Sequence, residues 1–159
     1  MALYLGNKKV AVTNTIEKQV PSMKAFFEAG GKCAQSTATS FEGCWQFDDT
    51  ANVTSMRNMF SDCYSLTSVP LFDTSKVTDM YNMFYNCSKL TTVPQFDTSN
   101  VTSMIYMFYN CSSLTTVPQF DTSNVTSMRN MFSNCYSLTS VPLFDTSKVT
   151  DMYNMFYNC

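Results

Sequence analysis

The sequence predicts an α/β repeat solenoid of 24-residue coils, each with one short parallel strand and one short helical or 3₁₀ segment. Three observations predict it. Cys63, Cys87, Cys111, Cys135 and Cys159 stand 24 residues apart, and a fixed period of this length marks a stacked-repeat architecture. Within one period, Val77, Met80, Met83 and Phe84 fall at i, i+3, i+6 and i+7, which is one face of a short helical segment. Leu90-Thr91-Thr92-Val93 is short and rich in β-branched residues, and it stops at Pro94. A strand end is the place where a missing ladder donor does no harm.

Taken in order, residues 1–19 form an N-terminal extension. Its residues 3–12 read as a small hairpin turning at Gly6-Asn7. Residues 20–52 read as a degenerate repeat acting as a cap: Val20, Met23, Phe26 and Phe27 keep the spacing loosely, and Phe47-Asp48 resembles Phe72-Asp73. The regular repeats are 53–76, 77–100, 101–124, 125–148 and the partial 149–159, with the unit V-T-x-M-x-x-M-F-x-N-C-x-x-L-T-x-V-P-x-F-D-T-S-x. Residues 125–159 copy 53–87 except that Asn134 stands where Asp62 does, so a longer 72-residue unit overlies the shorter one. The chain stops midway through a repeat with no polar cap. The expectation is a fragment of a longer protein, or an apolar end that associates with another copy.

A single coil has too little apolar surface to offset the entropy of ordering its residues, so neighbouring coils must share a core. All 4 glycines lie in the first third of the chain. In the regular repeats Asn, Asp and Ser must therefore make the turns. Asp73-Thr74-Ser75 and its copies supply side-chain oxygens that can cap the segment that follows.

Composition excludes several function classes. A net charge of −2 leaves no electrostatic footprint for nucleic acid or an anionic membrane. With no histidine, neither a Ser-His-Asp or Cys-His catalytic group nor a His-containing zinc site can form. No apolar run approaches the roughly 20 residues of a membrane span. Lys8 and Lys9 follow the first apolar stretch instead of preceding it, so residues 1–12 do not read as a secretory signal. No nucleophile–base pair or phosphate loop is present, and the expectation is a non-enzyme without a cofactor.

The candidate functional residues are ladders. The cysteine ladder Cys63, Cys87, Cys111, Cys135 and Cys159 reads first as buried free thiols, with disulfides between adjacent coils and metal binding as the alternatives. No C-x-x-C is present to favour the metal. The aspartate ladder Asp73, Asp97, Asp121 and Asp145 reads as capping, with a row of calcium sites as the alternative. The Met-x-x-Met-Phe stripe reads as core, with a methionine-lined partner groove as the alternative.

Tyrosines occupy positions that vary between otherwise uniform copies: Tyr81 and Tyr153; Tyr85, Tyr109 and Tyr157; Tyr64 and Tyr136; and Tyr106, where the other copies have Asn. Core positions hardly vary, so these are expected at the surface. A Tyr/Ser/Asn face has the composition of an antibody paratope, where Tyr gives contact area at low entropy cost. The competing reading is that these rings merely edge the core with their hydroxyls in water.

Cys87-x-x-Leu90-x-x-Val93-Pro94, followed by Val101-x-x-Met104-x-x-Met107-Phe108-x-x-Cys111, resembles the bacterial leucine-rich repeat of BspA-like surface proteins. The F-D-T-S-N-V-T-x-M-x-x-M-F segments resemble its mycoplasma-type surface-lipoprotein branch more closely still. The resemblance covers residues 53–159, and 20–52 more loosely. It implies a leucine-rich-repeat-like solenoid used in adhesion or recognition at a cell surface, binding a protein or glycan, with no catalytic residues. Two departures stand out: V-P-x-F replaces I-x-L-P, and the family's lipobox or signal peptide does not occur in this chain. Residues 3–11 also resemble the start of some phage tail-associated proteins. That resemblance implies a virion component whose repeats act as a spacer.

Overall fold

The structure, a computed structural model, describes residues 2–5, 8–11 and 50–159. Strands β1 (Ala2–Leu5) and β2 (Lys8–Ala11) pair antiparallel, with Ala2 opposite Ala11 and Leu5 opposite Lys8. The Gly6-Asn7 turn expected between them lies outside the described residues, as do residues 20–49 of the cap expected over residues 20–52. A single 3₁₀ turn at Thr50–Asn52 leads into the repeats, where the Thr50 carbonyl accepts from Val53 N–H.

From Val53 onward each repeat lies in parallel against the next. Parallel bridges join Ser55 to Asp79, Asp79 to Ser103, Ser103 to Ser127 and Ser127 to Asp151. The bonding around them is systematic. The N–H groups of Met80, Asn82, Phe84 and Asn86 donate to the carbonyls of Ser103, Ile105, Met107 and Tyr109 in the following repeat, at 2.8–3.1 Å. Between these, Met83, Tyr85 and Cys87 donate within their own repeat to the carbonyls of Met80, Asn82 and Phe84. Alternate amides thus bond between repeats and within them, which satisfies the buried backbone without any long helix or strand.

Here the structure departs from the expected secondary structure. Residues 77–84 are not helical: Asp79 sits in the parallel bridges, and residues 81–86 are a run of turns. Asn82 and Asn86 have φ of 55° and 60°, in the left-handed region that a right-handed helix excludes. Each is the third residue of a turn, one closed by Met83 N–H on Met80 and the other by Cys87 N–H on Phe84. A turn with positive φ at its third position favours Gly or Asn there, and the repeats use Asn except at Asp62 and Tyr106. The expected strand at Leu90–Val93 is also not formed; its one backbone bond to the preceding repeat is Thr91 N–H to the Thr67 carbonyl, which the Thr91 hydroxyl joins. The parallel bridge sits instead beside the first methionine of each repeat.

The apolar face predicted from spacing is the core. Val77, Met80, Met83, Phe84, Cys87 and Leu90 are fully buried, and so are their equivalents in the neighbouring repeats. Phe60, Phe84, Phe108 and Phe132 form a column of parallel rings with centroids 5.2, 5.4 and 5.6 Å apart. A short turn-rich repeat has no helix to project side chains inward. The rings therefore stack directly on their copies.

Candidate recognition surface

Tight stacking makes every surface position a column, so the residue type at one repeat position meets its copies one repeat away. Asn86 Nδ2 donates to Asp62 Oδ1 at 2.9 Å, and Asn110 Nδ2 to Asn86 Oδ1 at 3.0 Å. One step round the coil, Asn82 Nδ2 donates to Asn58 Oδ1 at 3.1 Å. That second column is interrupted at Tyr106.

Four tyrosines converge at the interruption. Tyr85 and Tyr109 stack with centroids 4.9 Å apart and planes 6° from parallel. Tyr106 stands nearly perpendicular to Tyr81, Tyr85 and Tyr109, at 6.1, 6.2 and 5.5 Å. All four are half-buried. The other tyrosines of the repeats are more open: Tyr64, Tyr136, Tyr153 and Tyr157 are 46–63% exposed and lie outside this group. Burial, and then the neighbouring phenols, raise the Tyr85 hydroxyl above its ordinary value, so it stays a neutral donor.

Sequence reasoning did not single out two further parts of this surface. Arg57 lies over the Tyr81 ring at 4.2 Å while its guanidinium binds Asp79 at 2.7 Å. Arg129 and Tyr153 repeat the arrangement at 4.7 Å, with Asp151 3.7 Å from the guanidinium. The signal was present, since Arg57 and Tyr81 are one period apart. Asn82 is the second part: its Oδ1 is buried and has no hydrogen-bond partner.

The other ladders are structural in geometry. Cys63, Cys87, Cys111, Cys135 and Cys159 are all free thiols, and only Cys159 is exposed. Burial pushes Cys87 and Cys111 well up and Cys135 up to about 12, so these sulfurs remain protonated. Asp73, Asp97, Asp121 and Asp145 each accept the backbone N–H two residues on, from Ser75, Ser99, Ser123 and Ser147. The Ser75 and Ser123 hydroxyls, and then these N–H groups, hold Asp73 and Asp121 below the usual carboxylate range, and Ser147 N–H and then its hydroxyl do the same for Asp145. The aspartates cap turns, since no helix follows. Among the described residues no group of three or more His, Cys, Asp or Glu is placed to hold a metal ion. No helix among them is long and apolar enough to cross a membrane.

These features define a stacked-repeat protein whose variable positions gather on its surface. The chain belongs to the family described as Mycoplasma protein of unknown function, DUF285, whose model matches residues 7–114 and again residues 54–159. No curated protein matches the chain.

Proposed function

We propose that the protein is a non-enzymatic binding module, a BspA-like, leucine-rich-repeat-like solenoid that presents a Tyr/Ser/Asn face to a cell-surface protein or glycan. The observation that carries the reading is the convergence of Tyr81, Tyr85, Tyr106 and Tyr109 from two repeats on one surface. Core positions are occupied almost identically in every repeat, whereas these positions carry Arg, Ile, Ser or Asn elsewhere. Tyr supplies broad contact area with few rotatable bonds, and Tyr and Arg together are the residue types enriched at binding hot spots.

A second reading, a structural spacer in a virion, draws on the uninterrupted backbone bonding from repeat to repeat. Binding of labelled protein to a panel of bacterial and host cells separates the two. A variant with Tyr81, Tyr85, Tyr109, Tyr153 and Tyr157 changed to Ser is run beside it. Binding that is lost in the folded variant supports the recognition reading. No binding by the parent to any cell overturns it in favour of the spacer.

A further inference from the structure

The position of Tyr106 is unfavourable on two independent grounds. Its φ is 56°, in the left-handed region that suits Gly and Asn and disfavours a bulky side chain. The equivalent residues Asn58, Asn82, Asn130 and Asn154 share that conformation and are all Asn. The second ground lies one repeat back. Asn82 donates to Asn58 Oδ1, but Tyr106 has no amide to donate to Asn82 in turn. Asn82 Oδ1 is left buried and unpartnered, which is among the more destabilising conditions for a polar atom.

What the substitution supplies is a ring. Tyr106 stands 71–77° from Tyr81, Tyr85 and Tyr109 and turns a simple column into a corner of aromatic faces edged by phenols. Strain retained beside such a cluster points to use of the cluster.

Resting on the binding-face reading above, we propose that Tyr106 is the specificity-determining residue of a neutral-carbohydrate subsite formed with Tyr81, Tyr85 and Tyr109. The size of the cluster favours a small ligand. Four half-buried tyrosines expose on the order of 300 Å² at most, well short of the ~800 Å² a side of a stable protein–protein interface. Charge favours a neutral one. The cation at the cluster, Arg57, is already bound to Asp79 at 2.7 Å. A sugar ring offers an apolar C–H face to an aromatic ring and hydroxyls to phenols, which is the combination this corner presents.

The test uses Tyr106→Asn, which installs the residue type found at this position in the other repeats and so keeps the fold. Wild type and variant are screened against immobilised neutral and sialylated oligosaccharides. They are then titrated with hexamers of glucose and of N-acetylglucosamine, and unfolded in urea. The expected result is that wild type binds a neutral oligosaccharide, that Tyr106→Asn weakens this at least tenfold, and that the variant unfolds at higher urea. Undiminished binding by Tyr106→Asn overturns the proposal, as does binding confined to sialylated glycans. A lower urea midpoint for the variant overturns the argument from strain. If wild type binds cells through its tyrosines but no neutral oligosaccharide, the carbohydrate inference falls and the binding-face reading stands. If it binds neither, both fall.

Discussion

The Cys87 thiol donates to the Phe60 carbonyl of the preceding repeat at 3.1 Å. The same bond runs from Cys111 to Phe84, from Cys135 to Phe108 and from Cys159 to Phe132, at 3.1–3.2 Å. Cys63, the first of the column, bonds instead to the Ser61 carbonyl at 3.8 Å. The cysteine ladder is therefore a row of weak donors that tie each repeat to the one before it. The small sulfur also fills the space beside the phenylalanine column.

That role predicts how the column responds to substitution. Cys111→Ser keeps a donor of similar size and is expected to change stability by less than about 1 kcal/mol. Cys111→Ala removes both the donor and the buried sulfur and is expected to cost about 1–2 kcal/mol. The Phe84 carbonyl keeps its bond from Cys87 N–H, which limits the loss. Urea unfolding of the two variants reads the difference. Equal loss in both would mean that packing alone holds the position.

A pH dependence follows from the same thiols. Burial raises Cys135 from 9.0 to about 12, so above pH 9 the unfolded thiol has lost a proton that the folded one keeps. The stabilisation linked to this group is complete below about pH 9 and declines as pH rises toward 12. Thermal melts should show a midpoint that changes little between pH 7 and 9 and falls by pH 10.5, and the slope above pH 9 should flatten in Cys135→Ala. In the native protein at pH 8, a thiol reagent should label Cys159 and spare Cys63, Cys87, Cys111 and Cys135, as located by mass spectrometry.

The core was legible in the sequence and the backbone path was not. Val77, Met80, Met83, Phe84, Cys87 and Leu90 are all buried as the period implies, because burial follows from which positions stay apolar in every copy. The same spacing suggested a helix, since i, i+3 and i+7 describe a helical face. A run of turns that advances along the same wall generates that pattern too. The decisive residues were Asn82 and Asn86, whose positive φ breaks a helix once per turn. Their regular recurrence in repeats without glycine was the available signal. The tyrosine positions were visible as variation between copies, but the meeting of Tyr106 with Tyr81 and Tyr85 required the stacking geometry. The orphaned Asn82 Oδ1 had no signature of its own, because it depends on what occupies the adjacent repeat.

The threonine of each Phe-Asp-Thr-Ser segment also joins repeats. Thr98 is buried, and its hydroxyl donates to the Asp121 carbonyl at 2.8 Å. Thr74 and Thr122 make the equivalent bonds to Asp97 and Asp145 at 2.8 and 2.9 Å. Thr98→Val preserves shape and removes only the donor, leaving a carbonyl short of a partner. The expected loss is about 1–3 kcal/mol. Thr98→Ser should lose less, since it keeps the hydroxyl and gives up one methyl. A Val variant as stable as the parent would show that water satisfies the carbonyl instead.

The left-handed asparagines allow conformation and hydrogen bonding to be separated at one site. Asn110 has φ of 58°, and its side-chain amide donates to Asn86 Oδ1 at 3.0 Å. Asn110→Gly keeps the backbone conformation available and loses the side-chain bond, for a cost of about 1 kcal/mol. Asn110→Ala loses the same bond and must also hold a Cβ in the left-handed region, which adds roughly 1–2 kcal/mol. Asn110→Asp keeps a side chain that tolerates the conformation, as Asp62 does in the first repeat with φ of 64°. Toward Asn86, however, Asp62 only accepts, whereas a carboxylate at 110 would face the Asn86 Oδ1 acceptor, so this variant should fall below Gly. The expected order of urea midpoints is Asn, then Gly, then Ala. If Ala equalled Gly, the turns would be able to relax out of positive φ. The inter-repeat bonds made by Asn110 N–H and its neighbours, and not the turn conformation, would then set the path of the chain.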